Sequence, residues 1–291
     1  MSGWVPQQTA DGSYTFFSDA FGEAFHSHQG AKTEAVLKFA VATGLAQKAQ
    51  GSTVRLLDVC YGLGYNTAAA LEVIWGSHAH CRVELYGLEL DPTVPTAATV
   101  PDLLQSWNYQ VQESLKAMAH DQTCQTPLLD GTLLIGDARQ TMQTLTQKQF
   151  QADAIFLDPF SPRRCPQLWT VEFFQLVGRC LAADGLLATY SRSAAVRSAL
   201  KLAGLCIGTV PPIAPHLPHE WAQGTIAAFD PCHLQPLSQM EQEHLQTRAA
   251  IPYRDPGLSD PADVILQRHQ QEQQSCQLES TSSWRRRWKI S

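Results

Sequence analysis

Apolar residues run in short blocks along the middle of this chain, and most of the blocks end on an acidic residue or a glycine. Residues 53–59 (TVRLLDV) form one block, which ends at Asp58 and a glycine-containing turn. Residues 81–88 (CRVELYGL) form a second, ending in Glu89 and Asp91, and residues 132–135 (TLLI) lead into Gly136-Asp137. A fourth, 154–157 (AIFL), delivers Asp158, and residues 185–190, 205–210 and 225–229 complete the set. Runs this short and this continuously apolar predict strands buried on both faces. Between them lie longer segments of helical type at 67–75, 170–181 and 193–203, the last closed by Gly204, a residue suited to a helix C-terminus.

Strands that alternate with helices predict an α/β architecture, a mostly parallel seven-stranded sheet with helices on both faces. No helix separates the last two strands. They are expected to pair as a hairpin, with one antiparallel strand near the sheet edge, joined through the loop that carries Pro211, Pro212, Pro215 and Pro218. The core domain is placed at 51–230, with a helical insertion at 92–131. Residues 1–50 read as an N-terminal extension packing on the core, with a helix over 31–45. Residues 231–291 are Gln-rich and poor in apolar residues, so they are expected to be only partly ordered.

Composition narrows the class. With 44% hydrophobic and 16% charged residues the chain is of soluble globular type. It has no apolar run of membrane length and no secretory leader pattern at its N-terminus, and a cytoplasmic location is expected. The 8 cysteines are scattered without a CxxC pair, which favours reduced thiols over a disulfide framework. His26-x-His28, His78-x-His80 and His216-x-x-His219 have no Cys or carboxylate partners at zinc spacing, so no metal is expected. A net charge of −6 argues against nucleic-acid binding by bulk electrostatics, while Arg285-Arg286-Arg287-Trp288-Lys289 is a local basic patch.

The candidate chemistry sits at the strand ends. Asp58-Val59-Cys60-Tyr61-Gly62-Leu63-Gly64 places two glycines in the first strand-to-helix turn, where backbone approaches a ligand closely, and Asn66 follows at the helix start. Glu89, after the second strand, is placed to accept both hydroxyls of a ribose, and Asp137, after the third, an adenine amino group. The chain lacks G-x-G-x-x-G and a Walker lysine, so a ligand without phosphates is favoured, and S-adenosylmethionine fits that description. After the fourth strand, Asp158 enters a loop stiffened by Pro159, Pro162 and Pro166 and carrying Phe160, Arg163, Arg164 and Trp169. Such a loop suits a flat, amine-bearing substrate. Trp169 is read either as a stacking surface for a base or as a core residue opening the next helix, and the two arginines as phosphate contacts or solvated charges.

In order, FHSHQGAKTEAVLKF, GLGYN, LEL, GDA, LDPFSP with P-x-LWT, and TYSRSAAVRSAL resemble the class I, Rossmann-like S-adenosylmethionine-dependent methyltransferases. Within that class they look like the MnmC-type tRNA wobble-uridine methyltransferase domain in stand-alone form, from about Thr9 to Phe229 and with no fused oxidoreductase domain in this chain. The proline-aromatic loop is the specific part. The resemblance implies methyl transfer to the amine of 5-aminomethyl(-2-thio)uridine in a tRNA anticodon stem-loop. It places Asp58, Gly62, Gly64, Asn66, Glu89, Asp137 and Ala138 on the cofactor, with Asp158 facing the methyl group and the amine. Phe160, Arg163, Arg164 and Trp169 would then contact the substrate. Cys60 departs from the pattern, because methyltransferases usually have glycine there. Two alternatives stand beside this reading: an aminopropyltransferase of the spermidine synthase type, and a non-catalytic Rossmann-like binding domain.

Overall fold

The computed structural model describes residues 3–210 and 223–290. The Pro211–Pro218 loop and the His216/His219 pair lie outside the described residues. Eight strands build the main sheet: β1 (Thr53–Val59), β2 (Arg82–Glu89), β3 (Thr123–Gln125), β4 (Leu129–Ile135), β5 (Ala152–Leu157), β6 (Leu181–Thr189), β7 (Cys206–Val210) and β8 (Gly224–Ala228). Their order is β7-β8-β6-β5-β1-β2-β4-β3. The pairs β6–β5, β5–β1, β1–β2 and β2–β4 are parallel, while β8 runs antiparallel to both β6 and β7. The seven strands and the antiparallel pair expected from the sequence are present. The eighth, β3, is a three-residue strand that pairs antiparallel with β4 at the other edge. It arises inside the insertion, too short to leave an apolar block in the sequence.

The helices needed here are α1 (Tyr65–Ser77), α2 (Tyr109–Asp121), α3 (Ala138–Gln147), α4 (Val171–Arg179), α5 (Ala194–Leu202), α6 (Gln239–His244), α7 (Ala262–Ser275) and α8 (Thr281–Trp288). The central strands are buried because their side chains meet apolar layers on both faces: Leu56 and Phe156 on one, Leu57 and Ile155 on the other. The chain adds β2 and β4 on one side of β1, then returns to place β5 and β6 on the other side. The order therefore reverses between β1 and β5, and the C-terminal ends of the strands open a crevice there.

Three local expectations are corrected. The helix expected over 31–45 is split into an α-turn at Ala31–Glu34, a π-helix at Ala35–Val41 and a further turn at Leu45–Lys48. The insertion is three helical pieces, Thr93–Ala97, Pro101–Leu104 and α2, because Pro95 and Pro101 punctuate it. The polar segment from 231 on is folded, carrying α6, α7 and α8. Its few apolar residues are spent on anchoring: Ile265 and Trp284 are fully or almost fully buried. Two ion pairs tie it to the core, Arg139 to Asp255 at 2.9 Å and Arg197 to Glu241 at 2.9 Å. A low apolar fraction signals disorder only when there is no neighbouring surface to fold against, and here the core supplies one.

Candidate active site

The turn after β1 begins with Cys60 in the left-handed region (φ 68°), followed by Gly62 at φ 55° and Gly64 at φ 77°. A β-carbon on Gly64 would sit 2.7 Å from the Tyr61 hydroxyl, so side chains other than hydrogen are excluded there. Gly64 precedes α1, and the Tyr61 amide donates to the Leu88 carbonyl (2.9 Å), tying the turn to the end of β2. At that end Glu89 is 8% exposed. Its Oε2 accepts the Gly62 amide at 2.8 Å and its Oε1 the Asp91 amide at 2.9 Å. Each oxygen keeps a second lone pair, so a vicinal diol fits as a donor to this carboxylate. Burial raises its pKa, against the opposing pull of these amides.

Across the turn, the Asp158 amide donates to the Val59 carbonyl, and Asn66 Nδ2 donates to Asp158 Oδ2 at 2.8 Å. Burial, and then the nearby charge of Glu34, push the Asp158 carboxyl up to about 7, with Asn66 and Lys38 pulling the other way. Behind them, Asp58 is fully buried and accepts from the Thr67 hydroxyl at 2.7 Å. Asp58 Oδ1 and Asn66 Oδ1 are buried acceptors without a donor among the described residues. Burial lifts Asp58 well above the usual carboxylate range.

Cys60, Gly62, Glu89, Asp158 and Phe160 line one cavity of about 220 Å³. Its other wall comes from the N-terminal segment, through Trp4, Phe21 and Phe25. Phe21 stacks on Phe160 at 4.3 Å between centroids, and Phe25 meets Phe160 edge-on at 4.9 Å. Glu23 accepts from the amide and hydroxyl of Ser161 (2.9 and 2.5 Å), fastening this wall to the proline loop. These N-terminal residues were not singled out in the sequence. Their signal was there, as aromatic density in a polar, non-periodic segment, but without a period it did not say which surface they cover.

Other residues fall elsewhere. Asp137 caps α3, and its carboxylate is gripped by Arg139 through Nε and Nη2 (2.7 Å at the shortest), which holds it below the usual carboxylate range despite burial. Asp137 is not in the wall of the Glu89 cavity. Ala138 opens α3, where first-turn amides lack intrahelical acceptors. Arg163 and Arg164 are exposed on the proline loop. Trp169 is 0% exposed, packs against Phe174 and Tyr190, and donates from Nε1 to the Phe160 carbonyl at 2.8 Å. The stacking alternative for Trp169 is therefore corrected: a ring with no exposed face cannot receive a base, and its place is beneath Phe160. Among the described residues no cluster of three or more His, Cys, Asp or Glu has metal-site geometry, and no helix is long and apolar enough to cross a membrane.

Glycines, a carboxylate with room to accept a diol and buried acceptors at a switch point fit S-adenosylmethionine, whose ribose and ammonium supply the matching donors. A family model described as S-adenosyl-L-methionine-dependent methyltransferase matches residues 100–217. The crystal structure of MNMC2 from Aquifex aeolicus superposes with a TM-score of 0.81 at 29% identity, covering 95% of this chain and 87% of that one. Among sequence relatives, an uncharacterized protein of Methanocaldococcus jannaschii is 27% identical over 89% of this chain and 70% of its own length. The tRNA 5-methylaminomethyl-2-thiouridine biosynthesis bifunctional protein MnmC of an Azoarcus strain is 32% identical over 68% of this chain. This chain spans about a third of such bifunctional proteins (32% of that one, 34% of the Polaromonas naphthalenivorans one). The fold, the site and these likenesses define a class I, S-adenosylmethionine-dependent methyltransferase. Within that class, the chain is similar to the MnmC-type methyltransferases.

Proposed function

We propose that this enzyme methylates the amine of 5-aminomethyl(-2-thio)uridine at the wobble position of tRNA, the anticodon stem-loop being the part it grips. The observation that carries the reading is Asp158: a half-buried carboxylate with a pKa of about 7, held by Asn66 in the wall of the cofactor cavity and followed by an aromatic, proline-stiffened loop. The activity for which the MnmC relatives are named, tRNA 5-methylaminomethyl-2-thiouridine biosynthesis, supports this substrate class.

S-adenosylmethionine, when bound, supplies an electrophilic methyl group on sulfonium. Glu89 would hold the ribose, Gly62 and Gly64 would let the backbone approach the amino-acid end, and Asp58 and Asn66 would offer it acceptors. Asp137 and the Ala138 amide would hold the adenine end, Asp137 sharing its carboxylate with Arg139. An amine that is an ammonium in water attacks only after losing a proton. A carboxylate lifted to about 7 is a better acceptor for that proton than an ordinary aspartate, and it orients the nitrogen as it does so. Phe160 lines the same cavity and excludes water from it, and Arg163 and Arg164 stand on the loop's exposed side for phosphates. Arginines there also disfavour the polyamine acceptor of an aminopropyltransferase.

Incubation with S-adenosylmethionine and tRNA that carries or lacks the aminomethyl group, followed by nucleoside mass analysis, tests the proposal. Methylation confined to the amine-bearing tRNA is expected. Cofactor binding with no tRNA methylation would remove the substrate and leave the enzyme class.

A further inference from the structure

A second cavity, of about 640 Å³, opens beside the reaction centre. Its wall includes Lys38 of the π-helix, Tyr190 and Ser191 after β6, Arg192, and Arg285 of α8. Tyr190 joins the two sites, because its hydroxyl donates to the carbonyl of Pro159, the residue after Asp158, at 2.9 Å. We propose that this cavity holds a backbone phosphate of the RNA acceptor next to the reacting nucleotide, and that the C-terminal helix α8 is part of the substrate site. The inference rests on the tRNA reading above and goes beyond it by locating the contact.

The charge balance favours an anion. Lys38 is offset by Glu34, which it meets at 2.5 Å. Glu241 is not part of the cavity wall and pairs with Arg197 at 2.9 Å. His244 also lines the cavity, and burial with the neighbouring charges of Arg197 and Arg285 holds its pKa down to about 4, so it is neutral near pH 7. Among the described residues, the cavity wall carries Lys38, Arg192 and Arg285 and no carboxylate, and Glu241 acts on Arg192 from outside it. Ser191 and Ser193 add hydroxyl donors, and Ser193 makes no side-chain capping bond at the start of α5. Guanidinium groups with hydroxyls and first-turn amides are the donor set that recognises phosphate oxygens.

The orientation of Arg285 is fixed by its neighbours. Trp284 is buried, stacks on His244 at 4.2 Å and donates to the Met240 carbonyl. One turn on, Arg287 is bridged to Glu243 and Glu279 (3.0 and 2.7 Å), and Trp288 donates to Glu243 at 2.8 Å. Residues 284, 287 and 288 thus bind α8 to α6 by one face, which leaves Arg285 on the flank that borders the cavity. The basic cluster of the sequence divides into a structural arginine and a substrate-facing one.

The test compares Arg285→Glu and Arg192→Glu with Arg286→Glu, the same charge change at an exposed residue of α8 outside the cavity wall. Binding of an anticodon stem-loop RNA is followed by fluorescence anisotropy across a salt series, with uridine monophosphate as a competitor and S-adenosylmethionine affinity as the check on folding. The two cavity variants are expected to weaken RNA binding roughly tenfold and lower the salt slope by about one, with cofactor affinity unchanged and Arg286→Glu having a clearly smaller effect. Equal losses in all three variants, or none, would overturn the site. Competition by uridine monophosphate at concentrations comparable to the RNA would overturn the assignment to an RNA phosphate in favour of a small-molecule site. If the stem-loop binds through Arg285 but no tRNA is methylated, the cavity stands and the proposed function falls. Methylation that is indifferent to both arginines has the opposite meaning.

Discussion

At the residue scale the account turns on Glu89, Cys60 and Asp158. Glu89→Ala removes a buried acceptor of two backbone amides and the proposed ribose contacts, and it is expected to weaken S-adenosylmethionine binding by on the order of a hundredfold in calorimetry. Cys60 holds a left-handed conformation that costs an L-residue about 1–2 kcal/mol. Cys60→Gly relieves it at an entropic cost to the unfolded chain of about 0.5–1 kcal/mol. A net gain of roughly 0.5 kcal/mol in chemical denaturation is expected, with cofactor affinity equal or higher because Cys60 lines the cavity. Asp158 is poised near 7, so the rate is predicted to rise with pH through about 7 and level off above it. Asp158→Asn should lose that limb along with most of the activity. The same shift sets the sign for stability. A folded pKa above the unfolded 3.8 favours the folded state fully at pH below about 4, and that contribution is lost as pH rises through about 7. Relative to wild type, Asp158→Asn is therefore expected to gain stability at pH 8 and not at pH 4. The carboxylates at the strand ends were legible in the sequence, because strand periodicity and position place them. Their hydrogen bonds were not, since Asn66 reaches Asp158 only once β1 and β5 lie side by side.

At the element scale the proline loop after β5 is the specific device, and its rigidity comes from below. Trp169 fills the core under it and bonds the Phe160 carbonyl. Trp169→Phe is expected to cost about 1 kcal/mol for the lost hydrogen bond plus some packing, and Trp169→Ala about 3–5 kcal/mol. Both are read by thermal unfolding with and without cofactor, and the Phe variant should lower turnover more than cofactor affinity. In the sequence an aromatic after a proline loop reads equally as platform or as core, because burial depends on what folds over it. The N-terminal wall was illegible for the same reason. Phe21 and Phe25 belong to no periodic element, and only their packing on Phe160 shows what they do. The π-helix at Ala35–Val41 also escaped, since its composition is that of an ordinary helix and its widened turn shows only in the backbone.

At the scale of the whole molecule, the mostly parallel sheet and its antiparallel strand near one edge followed from the alternation of strands and helices, while the strand order and the folding of the polar C-terminal segment did not. Its attachment depends on buried ion pairs that no composition reveals. Glu241→Gln leaves Arg197 without its anionic partner and is expected to destabilise the protein by about 3 kcal/mol in chemical denaturation, more than loss of an exposed pair such as Lys116–Glu113. All these parts converge on one reaction, and one measurement reaches it most directly: methyl equivalents transferred from labelled S-adenosylmethionine per tRNA, with the acceptor carrying the wobble aminomethyl group or lacking it, and with a polyamine in its place. The account predicts close to one equivalent on the amine-bearing tRNA, none on the other two, and only a small fraction in the same time with Asp158→Asn. Transfer to the unmodified tRNA or to the polyamine, or full transfer by the Asp158 variant, would contradict it.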